Sequence, residues 1–130
     1  MAVNLSQAVL VVDDEALVCE LNRIMLCTLG FHDVDCAADG VEALERMKKR
    51  IYGLVVSDWN MKPMTGYELL RQIRHNAKFA KTPFIMVTGE SRRESVLAAM
   101  QAGADAYLLK PLTLDTLRTK IEELSCARAS

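Results

Sequence analysis

An apolar run that stops on a carboxylate, LVVSD from Leu54 to Asp58, recurs along this chain in varied form. Ala8 to Val12 is another such run and stops at Asp13 and Asp14. Pro83 to Thr88 stops on a hydroxyl, and Ala106 to Leu109 runs into Lys110-Pro111. Val34 to Ala37 is a weaker example. Short, nearly continuous apolar runs rich in β-branched residues read as strands buried on both faces.

The segments between them have helical spacing and helix punctuation. Leu17, Leu21, Ile24, Thr28 and Leu29 recur on one face from Glu15 to Leu29, and Gly30 stops that helix. Asp39 with Glu42 marks the next start. Ala43, Leu44, Met47 and Ile51 then point inward, and Arg46, Lys48, Lys49 and Arg50 form a solvated side. Thr65 to Glu68 and Ser91 to Glu94 are capping boxes, the first leading into Leu69, Leu70 and Ile73. The Ser91 helix stops at Gly103. Thr113 caps a last helix with Leu114, Leu117, Ile121 and Leu124 inside.

Strand and helix therefore alternate five times. That pattern predicts an α/β fold, a (βα)5 doubly wound five-stranded parallel sheet with helices on both faces. Right-handed crossovers leave few topologies, and the flavodoxin-like order 2-1-3-4-5 is the natural one. At 130 residues the chain is one domain, spanning residues 1–130.

Composition removes several function classes. A formal net charge of -1 offers no bulk attraction for nucleic acid or an anionic membrane. The basic run at Arg46 to Arg50 is short and lacks interleaved aromatics, so it is not a nucleic-acid patch. No apolar run approaches the roughly 18 residues of a membrane span. The N-terminus turns acidic after its apolar stretch, unlike a signal peptide. Cys19, Cys27, Cys36 and Cys126 form no CxxC pair, which fits reduced thiols in the cytoplasm. His32 and His75 read as surface residues.

The chemistry lies where the strands end. In a parallel sheet all carboxyl ends share one edge, and strands 1, 3, 4 and 5 are neighbours in the expected order. Asp13, Asp14, Asp58, Thr88 and Lys110 therefore converge. Three close carboxylates repel one another unless a cation intervenes. All-oxygen ligation with open positions suits Mg²⁺, which takes phosphate oxygens as partners. A carboxylate beside Mg²⁺ can attack phosphorus, with Lys110 and Thr88 serving a phosphoryl group. Backbone N–H groups near Asn60 and Gly89 add donors.

VVDDE, SDWNM, MVTGE and AYLLKP together resemble the receiver domain of two-component response regulators. SDWNM, GYELL and AAMQAGADAY bring the chain nearest to the single-domain chemotaxis regulators of that family. The resemblance covers nearly the whole chain. It implies that Asp58 is the phosphoacceptor and that Thr88 and Lys110 serve the transferred group. It implies Mg²⁺ ligation by Asp14, Asp58 and the backbone carbonyl of Asn60, with Asp13 acting through water. Thr88 and Tyr107 become switch residues, remodelling the surface of the fourth helix, fifth strand and fifth helix. A cis Lys110-Pro111 bond is implied too. The expected partners are a histidine kinase as phosphodonor, a downstream protein such as a flagellar motor switch, and a phosphatase. The chain is expected to be a cytoplasmic monomer.

Two positions depart from the family pattern. Lys62 stands where proline is usual, with Pro63 one place later, and Thr65 stands where aspartate is common. The loop over the metal is thus expected to take a different path. Two other functions compete. A nucleotide or flavin module would need a glycine-rich phosphate loop, where this chain has Asp13-Asp14. A Mg²⁺-dependent phosphohydrolase would need a general acid two residues after Asp58, where this chain has Asn60. The signalling module remains, with slow self-hydrolysis rather than substrate turnover, and Asn60 and Glu90 setting its rate. The chain stops soon after the last helix, which leaves two expectations: a regulator acting alone, or a receiver excised from a larger protein. Trp59, beside the acids, is expected to report on Mg²⁺ and phosphorylation by its fluorescence.

Overall fold

The computed structural model describes residues 5–89 and 92–129. Five strands and five helices alternate: β1 (Val9–Val12), α1 (Ala16–Thr28), β2 (Val34–Ala37), α2 (Gly40–Lys49), β3 (Leu54–Asp58), α3 (Gly66–Arg74), β4 (Phe84–Thr88), α4 (Arg93–Ala102), β5 (Ala106–Leu109) and α5 (Leu114–Ala129). All neighbouring strands pair in parallel, and the sheet order is 2-1-3-4-5, as the alternation predicts.

Side-chain alternation along the strands divides the interior in two. Leu10, Val12, Val55, Phe84 and Met86 face α2, α3 and α4, where Met47, Leu69, Leu70, Ile73 and Ala99 meet them. Val9, Val11, Leu54, Val56, Ile85 and Val87 face α1 and α5, where Leu26, Leu117, Ile121 and Leu124 cover them. The central strands β1, β3 and β4 are buried along their whole length.

The helix starts follow the sequence signals. Asp39 accepts the Glu42 N–H at 2.8 Å. Thr65 and Glu68 form a complete capping box, at 2.9 and 3.1 Å. Thr113 accepts the Thr116 N–H at 3.2 Å. Gly103 ends α4 with φ +106°, a left-handed conformation natural to glycine. The expected Ser91 capping box lies outside the described residues, as does Glu90.

Two expectations are corrected. On α1 the inward residues are Cys19, Asn22 and Leu26, whereas Leu17 is 72% exposed and Leu21 and Ile24 are exposed too. The compact Cys19 side chain sits against the sheet, its thiol 3.5 Å from the Val11 carbonyl oxygen. Leu17 and Leu21 therefore lie on the outer face. Thr28 is also exposed, its hydroxyl returning to the Ile24 carbonyl at 2.9 Å. Leu29 does pack against the core. The second correction is Ile51, which is 82% exposed. The chain leaves α2 at Arg50 with extended backbone angles, so Ile51 never belongs to the helical face.

The basic run of α2 is held by carboxylates. Arg46 pairs with Glu42 at 3.1 Å, and Arg50 pairs with Asp33 and, at 2.8 Å, with Asp35. Among the described residues no helix is long and apolar enough to cross a membrane. His32 and His75 are exposed, as expected.

Candidate functional site

The carboxyl ends of β1, β3, β4 and β5 place Asp13, Asp58, Thr88 and Lys110 at one edge of the sheet. β1 ends beside β3, and β3 beside β4, through the registers Val12↔Ser57 and Asp58↔Val87. Asp13 is 2% exposed, Asp58 is 4% exposed and Thr88 is fully buried, while Asp14 is exposed. Carboxylate oxygens of Asp13, Asp14 and Asp58 all lie within 4.8 Å of one another.

Lys110 closes the group. Its ammonium is 2.9 Å from Asp58 Oδ1 and 4.0 Å from Asp13 Oδ2. The Lys110 N–H donates to the Thr88 carbonyl at 2.8 Å, which fixes the start of the loop after β5. The peptide bond to Pro111 is cis, as the family resemblance implies. Burial alone would lower the Lys110 pKa, but its contact and charge interaction with Asp58 outweigh it, so the net shift is upward. For Asp13 burial dominates and raises the pKa, against the Glu15 N–H that donates to its Oδ1 at 2.9 Å.

Asp58 Oδ1 is the unusual atom. It is fully buried, and among the described residues it accepts no hydrogen bond of good geometry. The Lys110 contact supplies charge without an aligned N–H. A buried carboxylate oxygen left in this state, with two further carboxylates in reach, fits a hard cation with oxygen ligands such as Mg²⁺.

The loop after Asp58 is shaped around it. The Trp59 N–H donates to the Val87 carbonyl at 3.0 Å, and the Gly66 N–H returns to the Trp59 carbonyl at 2.8 Å. A Cβ on Gly66 would lie 2.1 Å from the Asp58 carbonyl oxygen, so glycine is obligatory there. Lys62 is exposed and its bond to Pro63 is cis. Thr65 serves as the cap of α3. The two departures are thus a surface cation and a helix start.

A model of the response regulator receiver domain matches residues 9–122. The chain is a response regulator receiver. Chemotaxis protein CheY-3 of Vibrio cholerae serotype O1 is 37% identical over 121 residues, covering 93% of each chain. The crystallised Vibrio cholerae CheY4 superposes with a TM-score of 0.85 at 32% identity, covering 92% of this chain and 98% of the other. The receiver domain of a Pseudomonas aeruginosa sensor histidine kinase, solved with a magnesium ion coordinated in its active-site cleft, superposes with a TM-score of 0.82 at 26% identity over 93% and 98%. This receiver therefore belongs to two-component signalling and is CheY-like, with a chemotaxis-type relationship; such domains are signalling proteins.

Sequence reasoning passed over two residues of this receiver's site. Tyr67 stacks on Trp59, ring centroids 5.5 Å apart and planes 19° from parallel. The Gly66–Trp59 backbone bond that turns α3 back produces this contact, and no periodicity announces it. Glu15 acts through its backbone N–H, which carries no side-chain signature. Tyr107 is half-buried on β5 with its ring 6.4 Å from Trp59, and Asn60 is exposed after Trp59.

Proposed function

We propose that this receiver takes a phosphoryl group from a phosphohistidine of a histidine kinase onto Asp58, and that the phosphorylated form binds a downstream protein. The observation that carries the reading is the buried Asp58 oxygen, lacking an aligned donor, between Lys110 at 2.9 Å and the carboxylates of Asp13 and Asp14. Asp13, Asp14, Asp58 and the Asn60 backbone carbonyl would hold Mg²⁺, Asp13 through water. Bound there, Mg²⁺ supplies neutralising charge for phosphoryl oxygens and offsets the mutual repulsion of the acids.

In the transfer a carboxylate oxygen of Asp58 attacks phosphorus, the P–N bond to the imidazole breaks, and the ring leaves with the electron pair. Lys110 exchanges its pairing with the Asp58 carboxylate for a phosphoryl oxygen. The Thr88 hydroxyl donates to another phosphoryl oxygen. Phosphorylation replaces the single negative charge of the Asp58 carboxylate with a phosphoryl group that carries roughly two. Thr88 moves towards it, Tyr107 turns inward, and the surface of α4, β5 and α5 changes. That is a bistable element biased by local charge.

The aspartyl phosphate is lost slowly to water, with Asn60 and Glu90 controlling water access, so the protein is a timed switch and not a turnover enzyme. Its setting is the cytoplasm, its target in motility control, for example a flagellar motor switch, and a phosphatase is a further partner. Residues 1–130 act as one receiver domain, monomeric in this reading.

The test is incubation with a small acyl phosphate, with and without Mg²⁺, followed by intact mass measurement. The expected result is a Mg²⁺-dependent gain of one phosphoryl that Asp58→Asn abolishes. No gain in the wild type, or an undiminished gain in the variant, overturns the reading.

A further inference from the structure

Three side chains form a ladder leading from α3 to the ring expected to switch. Arg71, one turn after Tyr67 on α3, places its guanidinium 5.9 Å from the Tyr67 ring centroid. Tyr67 stacks on Trp59 at 5.5 Å. Trp59 meets Tyr107 at 6.4 Å with planes 73° apart, an edge-to-face pair. Tyr67 and Tyr107 are each in contact with the indole that follows Asp58. The backbone holds the indole to the site at one end, through Trp59 N–H to Val87, and to α3 at the other, through Gly66 N–H.

The two contacts differ in kind. Tyr67 lies on a helix whose first turn is fixed by the Thr65–Glu68 capping box, and Arg71 covers its ring. It is a fixed wall for Trp59. Tyr107 lies on β5, the edge strand, half-buried. An edge-to-face pair depends on the relative ring position, so the contact belongs to the Tyr107 position of this structure and is lost when that ring turns away.

We infer that Tyr67 is a positioning residue of the switch: by holding Trp59 it stabilises the Tyr107 position seen here, so α3 sets the resting balance of the β5 ring. This rests on the proposed role of Tyr107 for its consequence in signalling, but the coupling itself is a property of the unphosphorylated protein. Removing the Tyr67 ring frees Trp59 and weakens its edge contact, and the other Tyr107 position gains. Aromatic pairs of this type shift an equilibrium by between about two- and tenfold.

The experiment uses the full chain labelled with 3-fluorotyrosine and fluorine NMR in EDTA without phosphodonor. The three tyrosines, Tyr52, Tyr67 and Tyr107, are assigned by single Phe variants. In Tyr67→Leu the Tyr107 resonance is expected to move, and in Tyr67→Phe, which keeps the stack, to stay at its wild-type position. An unmoved Tyr107 resonance in Tyr67→Leu overturns the inference. So does a Tyr67→Phe spectrum that matches Tyr67→Leu, because the ring stack is then not the cause. Acyl-phosphate labelling of the same proteins, exchanged into Mg²⁺, separates the two failures: an unlabelled wild type removes the phosphoacceptor reading, while the Tyr107 resonance recorded in EDTA still reports the ladder.

Discussion

Gly66 has no room for a side chain, and that makes it a direct probe of the acceptor strand. A methyl group at this position would meet the Asp58 carbonyl oxygen at 2.1 Å and the Met86 sulfur at 3.0 Å. Backbone cannot yield as a flexible side chain can. Gly66→Ala is therefore expected to destabilise the protein by about 1–3 kcal/mol and to slow acyl-phosphate labelling, read by urea unfolding and intact mass. Labelling at the wild-type rate would mean that the Asp58 backbone does not move. Arg74 offers a second residue-scale test. Its guanidinium donates to the carbonyls of Ala80, Thr82 and Gly103 and to Asp105, joining the end of α3 to the loop before β4 and the turn before β5. Arg74→Met is expected to cost about 2–3 kcal/mol, below the range for a fully buried pair because the site is partly exposed. Arg74→Lys recovers little of this, since an ammonium cannot reproduce the planar fork.

At the scale of elements, β2 and the start of β3 are tied through Tyr52. Its hydroxyl donates to Asp35 Oδ2 at 2.6 Å, and burial together with that carboxylate pushes its pKa up to about 12. Between the ordinary tyrosine value of 10.0 and about 12 the unfolded chain has lost this proton while the folded chain keeps it. Unfolding then releases a proton, so stability falls as pH rises through that window. Tyr52→Phe should remove this part of the alkaline decline, measured as urea midpoints from pH 9 to pH 12. A parallel decline in variant and wild type would contradict the shift. The elements also define the limits of the sequence pattern. The existence and order of all ten elements follow from apolar runs and caps. Which face of α1 turns inward does not, because Leu17, Leu21 and Ile24 make as apolar a stripe as Cys19, Asn22 and Leu26. The choice is made by the fit of Cys19 against β1, a tertiary matter. Ile51 falls off the helical face for a local reason, the early end of α2 at Arg50.

For the molecule as a whole, the proposed Mg²⁺ site gathers three carboxylates within 4.8 Å of one another, whose repulsion a bound cation would offset. Ligand that binds only the folded state adds stability as its concentration rises. Thermal midpoints of the wild type are expected to climb with Mg²⁺ and to fall back in EDTA. Asp13→Asn, which removes one charge from the cluster, should be at least as stable as the wild type in EDTA and gain less from Mg²⁺. A variant that responds to Mg²⁺ like the wild type would take Asp13 out of the metal site. Much of this site is legible from strand ends alone, because a parallel sheet brings Asp13, Asp58, Thr88 and Lys110 to one edge whatever the side-chain detail. The Tyr67–Trp59 stack is not legible, because it depends on the path of the loop between Asp58 and Gly66.

The sheet also separates two interiors that share no side chains. Leu70 and Leu117 are both fully buried, yet they belong to opposite sides. Truncations paired across the sheet should add, while pairs within one side, such as Leu70 with Ile73, should deviate from additivity. Each interior is thus free to drift through its own sequence of compensating substitutions. The two histories meet at the strands and at the one rim where Asp58 stands.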